Sequence, residues 1–334
     1  VITHKKLEAE SGEDRLIARY FKPLATHPGG LALTDDAAFL APPDGHELVV
    51  TTDAIVAGIH FFPADPAAAV AARALRVNLS DIAAKGAEPA GFVIALGLPA
   101  IKPKWLEAFA HQLAADARTY GCPLLGGDTV RTKGPLFVSI TAIGTLPRGT
   151  MVKRSGAKAG DVVVVTGTLG DASLELHRRR KALPKWKLSR AAAAHLTRRY
   201  LYPEPRSGLA AAVRRCASAA IDISDGLAGD LAKLCRVSGV SAEIEIGKVP
   251  LSSAAQSALA AAPKLMETIL TGGDDYEIVC TVSPQQLDQF RALARDAKVA
   301  VTSIGRIVAG NTPPRFLDAK GIPRSFARRA FSHF

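Results

Sequence analysis

Cysteine is scarce. Four residues, Cys122, Cys216, Cys235 and Cys280, stand far apart in a chain of 334. No CxxC and no Cys/His zinc spacing occurs among them. That usage suits a reducing compartment, and a cytoplasmic protein is expected. Long apolar runs are missing too. A membrane helix requires about 20 such residues, and the longest candidate, around Gly91 to Ile101, is interrupted by Gly97 and Pro99. No membrane partner is therefore expected. Val1-Ile2-Thr3-His4-Lys5-Lys6 has no apolar segment behind its lysines, so no signal peptide is read there.

Gly and Pro number 28 and 21, about 15% of the chain and too few for a low-complexity composition. No solenoid-length repeat is present. Several chemical signatures are missing. There is no GxxxxGK[ST] loop, no GxGxxG and no GxSxG elbow. His60 and His111 have no evident nucleophile beside them. No EF-hand spacing fits Asp222 to Asp230.

What is present is an ordinary globular composition, 48% hydrophobic and 22% charged. The length suggests about two domains. Lys+Arg exceed Asp+Glu by 42 − 31 = 11, and the pI is near 9.6. A basic excess suits anionic partners such as nucleotides, phosphates, nucleic acid or a membrane surface.

Periodicity predicts an alternating chain. Glu13 to Leu24 reads as a helix with Leu16, Ile17, Tyr20 and Phe21 on one face. Leu48-Val49-Val50 reads as a strand running into Thr51-Thr52-Asp53. Asp65-Pro66 opens a long helix that ends near Gly86. Phe92 to Leu98 and Leu136 to Ile143 read as strands, with a helix from Pro103 to Tyr120 between them. Leu146-Pro147-Arg148-Gly149 marks a domain boundary, giving domains 1–148 and 149–334. Beyond it, Val162 to Val165 reads as a buried strand and a helix follows from Asp171. Ser241 to Ile246 and Tyr276 to Val282 alternate, predicting sheets with one apolar face. The fold class expected is α+β, two layered domains with mixed or antiparallel sheets.

The chemistry is carried by a series of aspartates beside small polar residues or glycines. They are Thr34-Asp35-Asp36, Thr51-Thr52-Asp53, Asn78-Leu79-Ser80-Asp81, Gly126-Gly127-Asp128, Asp222-Ile223-Ser224-Asp225-Gly226 and Gly272-Gly273-Asp274-Asp275. A single such residue is usually a turn former or helix cap. Six in one chain point elsewhere. Asp53 and Asp128 follow apolar segments, where side chains would project from sheet ends into a cleft. Oxygen-rich sites without cysteine suit Mg²⁺, which takes one or two carboxylates plus phosphate oxygens. Several ions against a polyphosphate are expected.

Three features have competing readings. Asp81 shares a helix face with Asn78, yet Lys85, four residues on, offers a surface ion pair. Thr166 to Asp171 is a glycine turn where amides could face phosphate, or a plain strand-to-helix turn. Arg178-Arg179-Arg180-Lys181 is a phosphate or nucleic-acid patch, or a solvated helix end.

Taken together, "GEDRLIARYF", "TDDAAFL", "TTDAIVAGIHF", "RVNLSDIAAKGAEP", "LLGGDTVR", "RSGAKAGDVVVVTGTLGDA", "IDISDGLAGDL" and "LTGGDDYEI" resemble the thiamine-monophosphate kinase family. That family belongs to a superfamily with aminoimidazole ribonucleotide synthetase, selenophosphate synthetase and a hydrogenase maturation protein. The resemblance implies an N-terminal domain for metal, ATP and dimerisation and a C-terminal domain completing the active-site cleft. It implies ATP-dependent phosphorylation of thiamine phosphate to thiamine diphosphate, several Mg²⁺ ions and a homodimer joined through the N-terminal domains. Carried over by motif, Asp36, Thr51, Thr52, Asp53, Asp81, Asp128, Asp222 and Asp225 look like metal-site residues. Gly127, Asp128, Arg154 and Ser224 look like ATP contacts. His60, Asp274 and Phe331 look like acceptor contacts. Two departures stand out: Thr34 replaces the family's usual Gly, and Phe331 falls in a changed C-terminal ending.

The acceptor is a phosphate oxygen, already ionised near neutral pH. No catalytic base and no covalent intermediate are expected, only metal-assisted in-line transfer. The alternatives are another ATP-using member of the superfamily, such as aminoimidazole ribonucleotide synthetase, and a basic nucleic-acid-binding protein. The aspartate clusters disfavour the latter, because they would repel a phosphate backbone.

Overall fold

The computed structural model describes residues 12–180 and 188–326. In chain order the elements are α1 (Gly12–Leu16), β1 (His46–Val56), α2 (Ala67–Ala84), β2 (Glu88–Leu98), α3 (Pro103–Thr119), β3 (Leu124–Arg131) and β4 (Phe137–Pro147). There follow β5 (Val162–Thr166), α4 (Asp171–Arg179), α5 (Arg190–Leu201), α6 (Ala210–Cys216), β6 (Ala217–Asp222), α7 (Leu227–Ser238) and β7 (Val240–Glu245). The last are α8 (Ser253–Ala261), α9 (Leu265–Thr271), β8 (Ile278–Val282), α10 (Leu287–Asp296), β9 (Val301–Ala309), β10 (Arg315–Leu317) and β11 (Pro323–Arg324).

Four strands form a sheet in the order β1-β4-β2-β3, with β2 and β3 parallel. Seven form a second in the order β11-β10-β7-β9-β5-β8-β6. There β10 and β7 are parallel and the other neighbours antiparallel. Both sheets are thus mixed, and the α+β expectation holds. By spatial contact the chain divides into two units. Among the described residues, the first holds those up to Ala41, Thr52–Leu75 and Ala90–Ala142; the second holds Pro42–Thr51, Arg76–Pro89 and those from Ile143 on.

Local chemistry explains most elements. The long α2 is rich in Ala and Leu, the best helix formers, and buries Ala71, Leu75, Leu79 and Ile82 completely. Gly86, at φ +73°, ends the turn beyond it. The helix expected from Glu13 to Leu24 is α1 continued by a π-turn, Ile17–Phe21, and a 3₁₀ turn, Lys22–Leu24. Leu16, Tyr20, Phe21 and Leu24 are its buried face. On β7, Ala242 and Ile244 are buried as expected, while Glu243 meets Arg306 and Arg315 on the neighbouring strands.

Two strand readings are corrected. The segment Ile278–Val282 does not have a polar face: all five residues are buried. Val279 packs into one apolar cluster and Ile278, Cys280 and Val282 into another, because helices cover both sides of the second sheet. Likewise β1 does not end before Thr51-Thr52-Asp53, and Gly126-Gly127-Asp128 does not follow a strand. Both triplets lie inside strands, since pairing carries β1 on to Val56 and β3 on to Arg131. No helix among the described residues is long and apolar enough to cross a membrane.

Candidate active site

In the first unit, a cavity of about 370 Å³ is lined by Phe21, Asp35, Asp36, Gly126, Gly127 and Asp128, with apolar neighbours. Leu31, Ala32 and Leu33 all take left-handed φ values, 48°, 52° and 54°, and deliver the chain to this rim. The Asp36 amide donates to Asp35 Oδ1 at 2.8 Å. Gly127 has no alternative: a Cβ there would stand 2.2 Å from the Ile94 carbonyl oxygen on β2. The absent side chain lets β3 lie against β2 and sets the height of Asp128.

Thr52, Asp53 and His60 lie outside that lining. Thr52 and Asp53 are exposed on β1, where Thr52 Oγ1 donates to the Ile140 carbonyl at 3.2 Å. His60 Nδ1 accepts from the Val56 amide at 3.0 Å. In the neutral ring that bond places the proton on Nε2.

In the second unit, Thr51 Oγ1 donates to Asp81 Oδ2 at 2.8 Å. Asp222, only 5% exposed, closes β6. Burial first, then the Asp81 and Asp230 carboxylates, push its pKa well above the usual carboxylate range; Ser80 and Lys85 oppose the shift. Lys85 is not on an exposed face paired with Asp81. Its Nζ donates to the Ala220 carbonyl at 2.7 Å. Burial, with Arg154 adding to it, lowers its pKa to about 8. Thr51, Asp81, Lys85 and Arg154 line one cavity of about 370 Å³.

The turn after β6 carries Ser224 and Asp225. Asp225 is bonded to Lys233 on α7, whose Nζ also reaches Asp230 Oδ1 at 2.8 Å, and the Asp225 amide donates to Asp230 Oδ2 at 2.9 Å. The loop holding Asp274 is zipped to this turn. The Asp274 amide donates to the Ser224 carbonyl at 2.9 Å, the Tyr276 amide to Ile223 at 2.9 Å, and the Ile223 amide to Glu277 at 2.7 Å. Asp274 and Tyr276 hold left-handed φ values of 73° and 51°, a costly conformation for non-glycine residues. Tyr276 Oη donates to Asp274 Oδ1 at 3.2 Å.

Beneath that loop lies a buried ionic cluster. Glu277 is fully buried and accepts from Arg199 at 2.8 Å, from Arg206, and from Thr166 Oγ1 at 2.6 Å. Gly167, at φ +55°, leaves room for it; a Cβ there would be 2.2 Å from Glu277 Oε1. The Gly167, Leu169 and Gly170 amides bond Ala300, Pro250 and Asp275, so these three serve the fold rather than a phosphate. Burial drives Asp275 well above the ordinary carboxylate range.

Mg²⁺ suits this donor set. Buried Asp222 and neighbouring Asp81 repel one another, and a small dication relieves both burial and repulsion. Among the described residues no three Asp, Glu, His or Cys side chains already form a metal cluster. A protein-only cage is not required, because Mg²⁺ keeps waters and takes phosphate oxygens.

Residues 34–146 match the family described as AIR synthase related protein, N-terminal domain, and residues 158–315 match its C-terminal domain. The thiamine-monophosphate kinase of Caulobacter vibrioides is 44% identical over 299 residues, covering 88% of this chain and 83% of the relative. The chain belongs to the thiamine-monophosphate kinase family. Two solved structures of the family share its fold. The crystal structure of the Stenotrophomonas maltophilia thiamine-monophosphate kinase superposes with a TM-score of 0.81 at 37% identity, covering 93% of this chain and 96% of that one. AaThiL complexed with AMPPCP and TMP gives 0.75 at 29% identity, covering 90% and 91%.

Against the family motifs, the first unit brings Asp36, Gly127 and Asp128 to one cavity. The second gathers Thr51, Asp81 and Arg154 at another and ties Ser224 to Asp274. Phe331 and Lys181 lie outside the described residues. Arg178 pairs with buried Glu175, and Arg179 stacks over the Tyr200 ring, as expected of a helix end more than a phosphate patch. Sequence reasoning missed Lys233, Glu277, Arg199 and Arg206. Only the i,i+3 spacing of Asp230 and Lys233 was a readable signal; Arg199 and Glu277 are 78 positions apart.

Proposed function

We propose that this protein transfers the γ-phosphoryl group of ATP to thiamine phosphate, giving thiamine diphosphate. What carries the reading is the 44% identity to a thiamine-monophosphate kinase over 88% of the chain. The relative solved with AMPPCP and TMP supports the same donor and acceptor classes. Asp36, Thr51, Thr52, Asp53, Asp81, Asp128, Asp222 and Asp225 are assigned to hold several Mg²⁺ ions. Gly127, Asp128, Arg154 and Ser224 are assigned to ATP, and His60, Asp274 and Phe331 to the acceptor. We further assign residues 1–148 as the metal, ATP and dimerisation domain, residues 149–334 as the domain completing the cleft, and a cytoplasmic homodimer as the working form.

The chemistry needs positioning more than proton transfer. The attacking oxygen of thiamine phosphate is ionised near neutral pH, so no general base is required. The obstacle is the meeting of two anions. Bound Mg²⁺ supplies the neutralising charge. The chain's own residues orient: Thr51 fixes Asp81, Lys233 fixes Asp225, and the Ser224 carbonyl fixes the Asp274 loop.

The deciding assay is ADP release from Mg·ATP with and without thiamine phosphate. Turnover should require both Mg²⁺ and thiamine phosphate. Free thiamine should be a poor acceptor, because its alcohol must be deprotonated and carries no phosphate to share with a metal. Equal rates with thiamine and its monophosphate would overturn the reading.

A further inference from the structure

We propose that Lys85 is a resident counter-ion of the Asp81 and Asp222 carboxylates, sharing the neutralising role assigned above to Mg²⁺. The inference rests on that reading of the site. Lys85 sits one helical turn after Asp81, and its ammonium donates to the Ala220 carbonyl, two residues before Asp222, at 2.7 Å. Its own carbonyl accepts from the Val152 amide at 3.2 Å, so the residue is anchored at both ends. It lines the same cavity as Thr51, Asp81 and Arg154.

A lysine on a helix can extend its stem and keep its ammonium in water. Lys85 instead turns inward, beside a second cation, Arg154. One carbonyl dipole does not compensate a desolvated ammonium, and the Asp81 and Asp222 carboxylates offset part of the remaining cost. Asp81 and Asp222 favour its charged form, and it in turn favours that of Asp222. A dication arriving here meets acids that are already partly neutralised. Mg²⁺ therefore binds more weakly than it would to a bare pair, and the metal-free protein suffers less repulsion.

The test uses the full chain, with MgCl₂ alone and no nucleotide. Wild type, Lys85→Met and Lys85→Arg are titrated by calorimetry and melted in EDTA and in MgCl₂. Lys85→Met should bind Mg²⁺ at least about fivefold more tightly, since a nearby repelling charge is gone. Its Tm gain on adding Mg²⁺ should exceed that of wild type, while Lys85→Arg stays within about twofold of wild-type affinity. Unchanged Mg²⁺ affinity in Lys85→Met, with the same Tm offset in EDTA and MgCl₂, would reduce Lys85 to a tie onto β6 and overturn the proposal. Should Lys85→Met fail to fold, Lys85→Gln decides by the same criteria. Wild type binding no Mg²⁺ in this nucleotide-free titration would overturn the counter-ion proposal, whereas the metal reading fails only if ADP release in the kinase assay proceeds without Mg²⁺.

Discussion

Thr51 Oγ1 donates to Asp81 Oδ2 at 2.8 Å, so a hydroxyl on β1 sets the aim of a carboxylate on α2. The bond joins two of the residues assigned to metal, although they are 30 positions apart. Lys85, in the same cavity lining as Asp81, sends its ammonium to the Ala220 carbonyl on β6.

That pairing makes Asp81 and Thr51 a graded series. Asp81→Asn should lose at least ~100-fold in kcat/KM, about 2.7 kcal/mol of transition-state stabilisation. Thr51→Val should keep most of kcat at saturating Mg²⁺ but raise the Mg²⁺ concentration for half-maximal rate several-fold. Steady-state kinetics against Mg²⁺ decide. Mild, matching effects would return both residues to a structural role.

Asp222 should make metal-free stability fall with rising pH. Its folded pKa lies well above its unfolded one, chiefly through burial, so the folded state binds the extra proton. Stability from that protonated form is complete at acid pH and is lost as pH rises through the folded pKa. In EDTA, Asp222→Asn should therefore raise Tm more at pH 7.5 than at pH 5, measured by thermal melts. In the kinase assay the same variant should be nearly inactive. A Tm gain independent of pH would contradict the assignment.

Glu277→Gln should be destabilising, by about 3 kcal/mol, because Arg199 and Arg206 would lose their fully buried carboxylate and keep only the half-buried Glu204, which Arg199 meets at 3.1 Å. Urea unfolding measures it. A loss below about 1 kcal/mol would mean that water reaches the cluster.

The cysteines should be silent in the native protein. All four are buried, and burial pushes Cys122, Cys235 and Cys280 to about 12. The thiolate is the reactive form, so a thiol reagent at pH 8 should label none of the four rapidly until denaturant is added. Fast labelling of any of them in buffer would show local opening.

Residue patterns revealed the fold wherever one face of an element meets water. Leu16, Tyr20 and Phe21, and Ala242 with Ile244, sit where periodicity predicts. The pattern misled where packing is two-sided. Thr281 reads as a polar-face residue, yet it is fully buried and its carbonyl accepts from Ser218 Oγ at 3.0 Å. It also misled where a strand contains polar triplets. Thr51-Thr52-Asp53 reads as the end of the apolar strand begun at Leu48, and pairing within the sheet carries that strand past it to Val56. The aspartate positions were legible because each sits in a short local motif. Their partners were not: Lys233 apart, they come from distant segments that only the fold brings near.

Gly167 gives the chain a form of historical memory. Any side chain at 167 invades the space of Glu277 Oε1, and a shorter acid at 277 would withdraw from Arg206 and Thr166. Changes at 166, 167, 206 and 277 are therefore coupled: the effect of each depends on what stands at the others. A lineage built this way can drift freely on its surface, whereas a step at any of these positions is judged against the other three.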